Sequence, residues 1–167
     1  LNKGSQLMTS LYRVPAAYVR ARAALSNTPS TIPYRSAGRP EAMYAVERII
    51  DLAARQCGFD RVELRRRNLI PPSQQPYRNP FGVVYDNGDY LGVMRRALEL
   101  ADWKGFEKRR REARKRGLYR GIAVANYIET TSGAPRERAE VTILEDGTVD
   151  VIIGTQASGQ GHETSFS

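Results

Sequence analysis

The spacing of apolar residues changes once along the chain, near Gly117, and this change constrains the possible folds more than any other feature. Up to Gly117 the apolar residues recur every three or four positions, which is typical of amphipathic helices. Beyond it they alternate at every second position, which is typical of half-buried strands. The sequence therefore predicts an α+β fold in which helices pack with a partial antiparallel or mixed sheet.

Two helices are predicted in the first half of the chain. The first begins at Pro40, because proline favours an early helical position, and ends before Gly58. The second opens at Asp60, with Glu63 three residues on as in a capping box, and continues to Asn68. The first helix is expected to face the core with an apolar stripe of Ala42, Ala45, Val46, Ile49, Ile50 and Ala53.

Residues 70–88 contain four prolines, little periodicity and an Asn-Gly turn. These features predict a loop that crosses between structural units. The boundary is therefore placed there, with residues 1–88 in one subdomain and residues 89–167 in the next. Asp89 can cap a further helix, whose apolar stripe is Leu91, Met94, Ala97, Leu98 and Ala101.

Three strands are predicted after the last helix. Apolar residues alternate along each of them, at Ile122, Val124 and Ile128, at Ala139, Val141 and Ile143, and at Val149, Val151 and Ile153. An Asp146-Gly147 pair between the second and third is a strong signal for a hairpin turn. The three strands are expected to form an antiparallel meander.

Composition excludes several kinds of protein. No apolar run approaches the roughly 20 residues that span a bilayer, and nothing argues for export, so a cytoplasmic protein is predicted. The single cysteine, Cys57, excludes an internal disulfide and an iron–sulfur cluster. Its place on an apolar helix face predicts a buried thiol. The single histidine, His162, lacks the partners that a zinc site needs.

The formal net charge of +8 is concentrated in one segment. Between Lys104 and Arg120 nine basic residues stand against Glu107 and Glu112, which leaves a net charge of +7 there. One hypothesis is a nucleic-acid-binding helix, because clustered cations neutralise phosphates. The other is a solvated linker helix, which better fits three consecutive arginines at 109–111 that must point in different directions.

A glycine-rich turn at residues 154–164 follows the last strand and is predicted to open a helix. Glycines let backbone N–H groups approach a ligand and a helix N-terminus favours anions, so a phosphate or a polar heterocycle would fit. The segment lacks the third glycine of a dinucleotide fingerprint, which argues against a Rossmann site. A tight turn without any ligand is the alternative.

This turn, from Gly159 to Thr164, reads GQGHET and resembles the cofactor-binding segment of the molybdenum hydroxylases, the xanthine and aldehyde oxidoreductase family. Residues 34–42 (YRSAGRPEA) are similar to the active-site loop of that family. The resemblance covers residues 12–167. Further landmarks follow in the family's order at residues 63–70, 85–90, 101–103 and 117–122.

The resemblance implies that the chain holds a molybdenum–molybdopterin cofactor, in its cytosine dinucleotide form, between two subdomains. A glutamine amide offers donors and an acceptor without charge, and an arginine adds permanently charged donors. Ser36 and Ala37 belong to the substrate-side loop, and no residue is expected to ligate the metal directly. The implied cofactor contacts are Gly159, Gln160, Gly161, His162, Thr164 and Arg35.

The implied activity is hydroxylation of a carbon of an aldehyde or N-heterocyclic substrate, with oxygen from water. Ser36 stands where carbon-monoxide-oxidising members carry a cysteine that binds copper, so that reaction is not predicted. Ala37 stands where purine-oxidising members carry a phenylalanine, so purine specificity is not predicted either. The family's catalytic glutamate lies in a later part of the subunit, and no catalytic residue is assigned here. Glu129 and Glu163 are predicted to be structural.

The implied partners are the rest of the molybdenum subunit, a [2Fe–2S] subunit, an FAD subunit and a small-molecule substrate, in a dimer of the complete complex. The chain begins without Met and stops soon after a new turn, so it is expected to be an internal piece that is inactive alone. No membrane contact is expected. Two alternatives stay open, a nucleic-acid-binding module and a catalytically silent homologue.

Overall fold

The computed structural model describes residues 2–29, 35–129, 136–155, 157 and 159–166. They belong to two compact units, Leu1–Glu129 and Thr130–Ser167. Helices and antiparallel strand pairs are both present, which confirms the predicted α+β class. The predicted subdomain division after residue 88 refers to a complete subunit and stays a prediction.

The first unit is mainly helical. Its helices are α1 (Asn2–Ser5), α2 (Arg39–Cys57), α3 (Arg61–Asn68), α4 (Tyr90–Leu100) and α5 (Phe106–Lys115), and a 3-10 turn spans Pro72–Gln74. Its strands are an antiparallel pair, β1 (Tyr77–Arg78) and β2 (Val84–Tyr85). The second unit contains the antiparallel pair β3 (Ala139–Ile143) and β4 (Val149–Ile153), followed by α6 (His162–Ser165).

Helices α3 and α4 begin at the capping residues that the sequence indicates. The Asp60 carboxylate accepts hydrogen bonds from the backbone N–H groups two and three residues on, at 2.9 and 2.8 Å. The Asp89 carboxylate accepts one at 2.8 Å from the third residue after it. Glu63 departs from the predicted capping box, because its carboxylate accepts hydrogen bonds from Arg66 and Arg67.

Residues 70–88 are not the plain loop that their prolines predict. They contain β1 and β2, and the side chains of Ile70 and Tyr85 are buried in the core. Asn79 fixes the connection between the strands, since its Oδ1 accepts two backbone N–H groups of the turn at 3.0 and 2.9 Å. Strands of two residues are too short to leave a period in the sequence, which is why the pattern did not indicate them.

The core of the first unit has two apolar clusters. The segment of residues 7–12 contributes to both, and its backbone bonds to the chain after α3, where the Ile70 N–H donates to the Leu11 carbonyl at 3.0 Å. This N-terminal segment therefore shares a core with α2, α3 and α4. The clusters consist of Leu7, Ala42, Met43, Ile70 and Tyr85, and of Leu11, Tyr12, Leu69 and Met94.

An ion pair lies inside this core. The Arg65 side chain on α3 is 0% exposed and contacts Glu47 Oε2 at 2.7 Å and Asp51 Oδ1 at 2.8 Å, both on α2. Its guanidinium also donates to the backbone carbonyls of Glu47 and Arg61. A charge can be buried at tolerable cost only when its donors are satisfied in this way.

Tyr12 extends this network to a distant part of the chain. Its hydroxyl donates to Glu47 Oε1 at 2.5 Å and accepts from Asn126 Nδ2 at 3.0 Å. Burial raises the pKa of Tyr12 well above its usual range, and the hydrogen bond to Glu47 acts in the same direction. Tyr12 therefore stays a neutral donor at physiological pH.

The predicted apolar stripe of α2 is only partly buried. Ala42 is buried, whereas Ile49 is 61% exposed, and the buried face of the helix includes Glu47, which pairs with Arg65. The prediction of a buried Cys57 is wrong: the thiol is exposed. Cys57 is the last residue of α2, and the buried residues of that helix end one turn earlier.

Residues 118–129 form no helix and pair with no strand among the residues described, and they are called the extended segment here because their burial alternates. The predicted strand at 122–128 is therefore wrong as a paired strand, and so is the three-stranded meander. The alternation behind it is real, because residues 122, 124, 126 and 128 are buried or half-buried while their neighbours are exposed. Alternation reports which side chains are buried and not where the backbone finds its partners.

The hairpin of the second unit forms as predicted. Val141 lies opposite Val151 in the ladder, and Gly147 makes the turn with a φ of 83°. Both strands are exposed along nearly their whole length. The described part of this unit therefore has little core of its own, and a two-stranded hairpin is only marginally stable by itself in water.

Replacing Arg65 by methionine should lower the free energy of unfolding by about 3–5 kcal/mol, because Glu47 would stay buried without its partner. Arg66→Met is the matched control, since Arg66 is exposed beside it and pairs with Glu63 at the surface, where an ion pair contributes little. Urea unfolding compares the two variants. Equal effects would contradict a stabilising role for the buried pair.

Hydrogen bonds from Arg66 and Arg67 lower the pKa of Glu63 to about 2, from its usual 4.5. Since the pKa is lower in the folded chain, the stabilisation from Glu63 is complete above pH 4.5 and is lost as the pH falls towards 2. An NMR titration of the Glu63 carboxyl carbon should give this low midpoint. A midpoint near 4.5 would contradict the pairing.

Candidate functional site

The loop before α2 has a strained backbone. Ser36, Ala37 and Gly38 have consecutive positive φ angles of 76°, 39° and 91°. A non-glycine residue in this region costs about 1–3 kcal/mol, and such residues persist only where the surroundings fix them, commonly at functional sites. The strained residues here are the ones that the family resemblance places on the substrate side.

Helix α2 begins directly after this loop. Gly38 is the left-handed residue before the first helical turn, and a proline follows early in that turn. The Arg39 N–H donates to the Ser36 carbonyl at 3.2 Å and closes the loop. Arg35 is exposed at the start of the loop, whereas Ser36 and Ala37 are half-buried.

The backbone of α1 lies against the loop at Gly4. A Cβ atom at this position would lie 2.5 Å from the Gly38 carbonyl oxygen and 3.1 Å from the carbonyl carbon. Both are backbone atoms, which cannot rotate away as a side chain can. Only glycine therefore fits at Gly4 without moving the loop.

The Arg39 side chain connects the loop to the end of the first unit. It is 7% exposed and pairs with Glu129 Oε1 at 2.5 Å. Its guanidinium also donates to the Ser36 carbonyl at 3.4 Å. The Tyr127 hydroxyl donates to the other carboxylate oxygen of Glu129 at 2.7 Å. Glu129 is therefore in contact with the loop through Arg39.

Tyr127 binds the same carboxylate. Burial raises the pKa of Tyr127, the nearby Ser36 acts to lower it, and Glu129 acts to raise it. The contacts run from the Ser36 carbonyl through Arg39 and Glu129 to Tyr127.

The glycine-rich turn of the second unit has the backbone shape that its sequence predicts. Gly159 and Gly161 have φ angles of 92° and 73°. No described atom lies within 4 Å of the position that a Cβ of Gly161 would take. Gln160 stands between these glycines and is exposed. The turn is therefore open to the approach of a ligand.

The helix after this turn is shorter than an anion-binding helix would be. Helix α6 has four residues, and the Thr164 N–H donates back to the Gly161 carbonyl at 3.0 Å. A single turn has only a small dipole, so the expected helix-dipole contribution to ligand binding is not available. His162 is half-buried and packs on Phe166 with 4.9 Å between ring centroids, and Glu163 is exposed.

The basic residues of α5 have acidic neighbours. Glu107 and Glu112 each pair with a basic residue three positions on, at 3.4 and 3.1 Å. Asp102 pairs with Arg109. These exposed pairs interrupt the positive charge, which favours a solvated helix over a phosphate-binding surface.

Metal cages and membrane helices are both absent from the part of the chain that the structure describes. No three His, Cys, Asp or Glu side chains in it come together as metal ligands. None of its helices combines the length and the apolar character needed to cross a bilayer.

Both halves of the chain match known protein families. Residues 1–69 match a family described as a molybdopterin cofactor-binding domain, and residues 96–167 match a second family with the same description. The chain belongs to the molybdenum hydroxylases. Within them it is part of the molybdopterin-binding large subunit, as the resemblance in its sequence predicts.

Several large subunits of molybdenum hydroxylases are similar to it. The carbon monoxide dehydrogenase large chain of Afipia carboxidovorans is 32% identical over 96% of this chain. The nicotine 6-hydroxylase large subunit of Paenarthrobacter nicotinovorans is 31% identical over 95% of it. The crystal structure of quinoline 2-oxidoreductase from Pseudomonas putida 86 matches 96% of this chain with a TM-score of 0.73 and 31% identity. The chain spans about a fifth of their lengths, 22%, 21% and 22% respectively.

Two residues that contact the substrate-side loop, Gly4 and Arg39, were not predicted, and neither was Tyr127, which contacts Glu129. Arg39 stands at a helix start, where an arginine is normally solvated, and its burial depends on a carboxylate far along the chain. The available signal was the alternation of the extended segment, which puts Tyr127 and Glu129 on the same side. Nothing in the sequence relates that side to the loop.

Gly4→Ala should destabilise the first unit by about 1–3 kcal/mol, because the new methyl group meets the backbone of Gly38. Gly121→Ala is the control, since no atom lies within 4 Å of a Cβ there. The midpoint of urea unfolding measures both. If Gly4→Ala unfolds at the same midpoint as Gly121→Ala, the close backbone contact is not present in solution.

Proposed function

We propose that this chain is the part of a molybdenum hydroxylase that holds the molybdenum–molybdopterin cofactor and borders the substrate. The proposed reaction is hydroxylation of a carbon of an aldehyde or N-heterocyclic substrate, with oxygen taken from water. The observation that carries the proposal is the open turn at Gln160, within a segment that matches a molybdopterin cofactor-binding family.

The residues of this turn fit such a cofactor chemically. Gln160 is exposed between two left-handed glycines, so its amide and the neighbouring backbone can approach a flat polar heterocycle. A neutral amide can orient oxygen atoms by hydrogen bonds without coordinating a metal. When bound, the cofactor supplies the redox chemistry of the hydroxylation. His162 and Thr164 are proposed as further contacts to it.

Arg35, Ser36 and Ala37 are proposed to border the substrate. Arg35 is exposed and permanently charged, so it can hold an anionic group of the cofactor or the substrate. Ser36 offers no thiolate for copper, which argues against carbon monoxide as the substrate. Ala37 offers no aromatic ring for stacking on a purine. The similar proteins named for nicotine and quinoline support an N-heterocyclic substrate.

The other parts of the reaction are proposed to lie outside this chain. No catalytic base is assigned within it, and electrons are proposed to leave through [2Fe–2S] and FAD subunits. The names of the relatives, large chain and large subunit, support an assembly with smaller partners. A cytosine dinucleotide form of the cofactor, a dimeric complex and a cytoplasmic location belong to the same proposal.

Elemental and pterin analysis of the purified complete subunit tests the proposal. Molybdenum and a released pterin are expected in stoichiometric amounts. A subunit that carries neither, and that binds DNA with a steep salt dependence, would be the nucleic-acid-binding alternative. A subunit that carries both but hydroxylates neither aldehydes nor N-heterocycles would be a catalytically silent homologue.

Gln160→Ala in the complete subunit should lower molybdenum content or turnover by about 10- to 100-fold, the usual effect of removing a hydrogen bond around a metal site. Gln74→Ala removes another exposed glutamine amide, from the 3-10 turn, and serves as control. Molybdenum per subunit and kcat are measured for both. The role assigned to Gln160 is wrong if the two variants behave alike.

A further inference from the structure

We infer that Tyr127 and Glu129 are positioning residues that hold the substrate-side loop, residues 35–38, in its strained conformation. The inference rests on the proposed function, because the loop borders a substrate only if that proposal is correct. Both side chains belong to the extended segment, and the sequence alone does not indicate that either of them acts on the loop.

The strained loop needs support beyond its own backbone. Ser36 and Ala37 hold positive φ angles that ordinary side chains avoid, and they keep them only if their surroundings fix them. The backbone of Gly4 blocks movement on one side. The bond from the Arg39 N–H to the Ser36 carbonyl closes the loop but does not attach it to the rest of the unit.

Arg39 attaches the loop to the unit, and Glu129 makes the position of Arg39 possible. A cation at the first residue of a helix is disfavoured by the helix dipole. A guanidinium that is 7% exposed also needs a partner to offset its lost hydration. Glu129 meets both needs at 2.5 Å, and the same guanidinium donates to the Ser36 carbonyl. Without this carboxylate Arg39 would turn to solvent and leave the loop.

Tyr127 holds the Glu129 carboxylate in place. Its hydroxyl donates to Glu129 Oε2 at 2.7 Å and so holds the carboxylate that pairs with Arg39. Arg39 and Tyr127 use different oxygens of the carboxylate, so the two contacts do not compete. The loop is thus attached through its main chain by Arg39, whose partner carboxylate is held by Tyr127.

Tyr127 and Glu129 are partly exposed, so their effect on the loop can be tested apart from the stability of the unit. Tyr127 is 45% exposed and the Glu129 side chain is 40% exposed. The core network around Arg65 is formed with other residues, Glu47, Asp51 and Tyr12. Loss of either exposed side chain should therefore release the loop while the unit stays folded.

The first test measures the order of the loop in the complete subunit by limited proteolysis. Trypsin cleaves after an ordered arginine slowly, and it does not cleave at Arg39, which precedes a proline. Tyr127→Phe and Glu129→Gln should each raise the initial rate of cleavage after Arg35, on the order of tenfold, as expected for losing a hydrogen bond to a charged group.

Two variants serve as matched controls for this test. Tyr119→Phe removes an exposed hydroxyl from the same extended segment, and Glu112→Gln removes a carboxylate from an exposed ion pair with Lys115. Both should leave the cleavage rate after Arg35 unchanged, and all four variants should unfold near the wild-type midpoint. If Glu129→Gln also lowers that midpoint, the cleavage rate of Tyr127→Phe decides the test, because this variant keeps the aromatic ring and loses only the hydroxyl.

The second test asks whether the loop acts on the substrate. The variants are compared with wild type on whichever of nicotine, quinoline and benzaldehyde the wild type hydroxylates fastest. KM should rise several-fold in both loop variants, with a smaller change in kcat and unchanged molybdenum content. Cleavage rates and KM values equal to those of the controls would overturn the inference, and so would faster cleavage with an unchanged KM.

The two proposals fail in different ways. A complete subunit without molybdenum would overturn the proposed function, yet cleavage after Arg35 would still decide whether Tyr127 and Glu129 hold the loop. A subunit that contains molybdenum and is cleaved alike in all variants would overturn only this inference.

Discussion

The first unit depends on the buried ion pairs that the Arg65 guanidinium makes with Glu47 and Asp51. A charge in a low-dielectric interior must have partners at fixed places, and Glu47 and Asp51 provide them from α2. Tyr12 then ties the N-terminal segment to the same carboxylate, and Asn126 ties in the extended segment. Four stretches that are distant in sequence are thus held in one arrangement by the requirement that a single charge be satisfied.

The substrate-side loop takes its place from this arrangement. It precedes α2, the helix whose middle carries Glu47, and α1 lies directly against it at Gly4. The extended segment that reaches the core through Asn126 ends at Tyr127 and Glu129, beside the loop. Core network and loop are therefore linked through α2 and through this segment. The strained backbone can persist at this point because the two neighbours of the loop, Gly4 on α1 and Glu129 on the extended segment, belong to a packed unit.

The second unit has a different character. Its hairpin is exposed along nearly its whole length, and the open turn at Gln160 follows it. A pair of strands gains little stability alone, and the chain spans only about a fifth of the molybdenum hydroxylase subunits it resembles, 22% in the case of the Afipia protein. A ligand bound at this turn would add stabilisation that rises with the logarithm of its affinity.

Local chemistry in the sequence determined the α+β class, the caps at Asp60 and Asp89, the hairpin turn at Gly147 and the open shape of the turn around Gln160. Each of these depends on neighbouring residues, and so a single sequence can reveal them. The order of motifs also identified the family. Only the tertiary structure decided that Arg65 is buried, that Cys57 is exposed and that residues 118–129 have no strand partner among those described. It also brought Glu129 to the loop. These outcomes depend on which distant groups meet, and no local pattern records the position of a partner far along the chain.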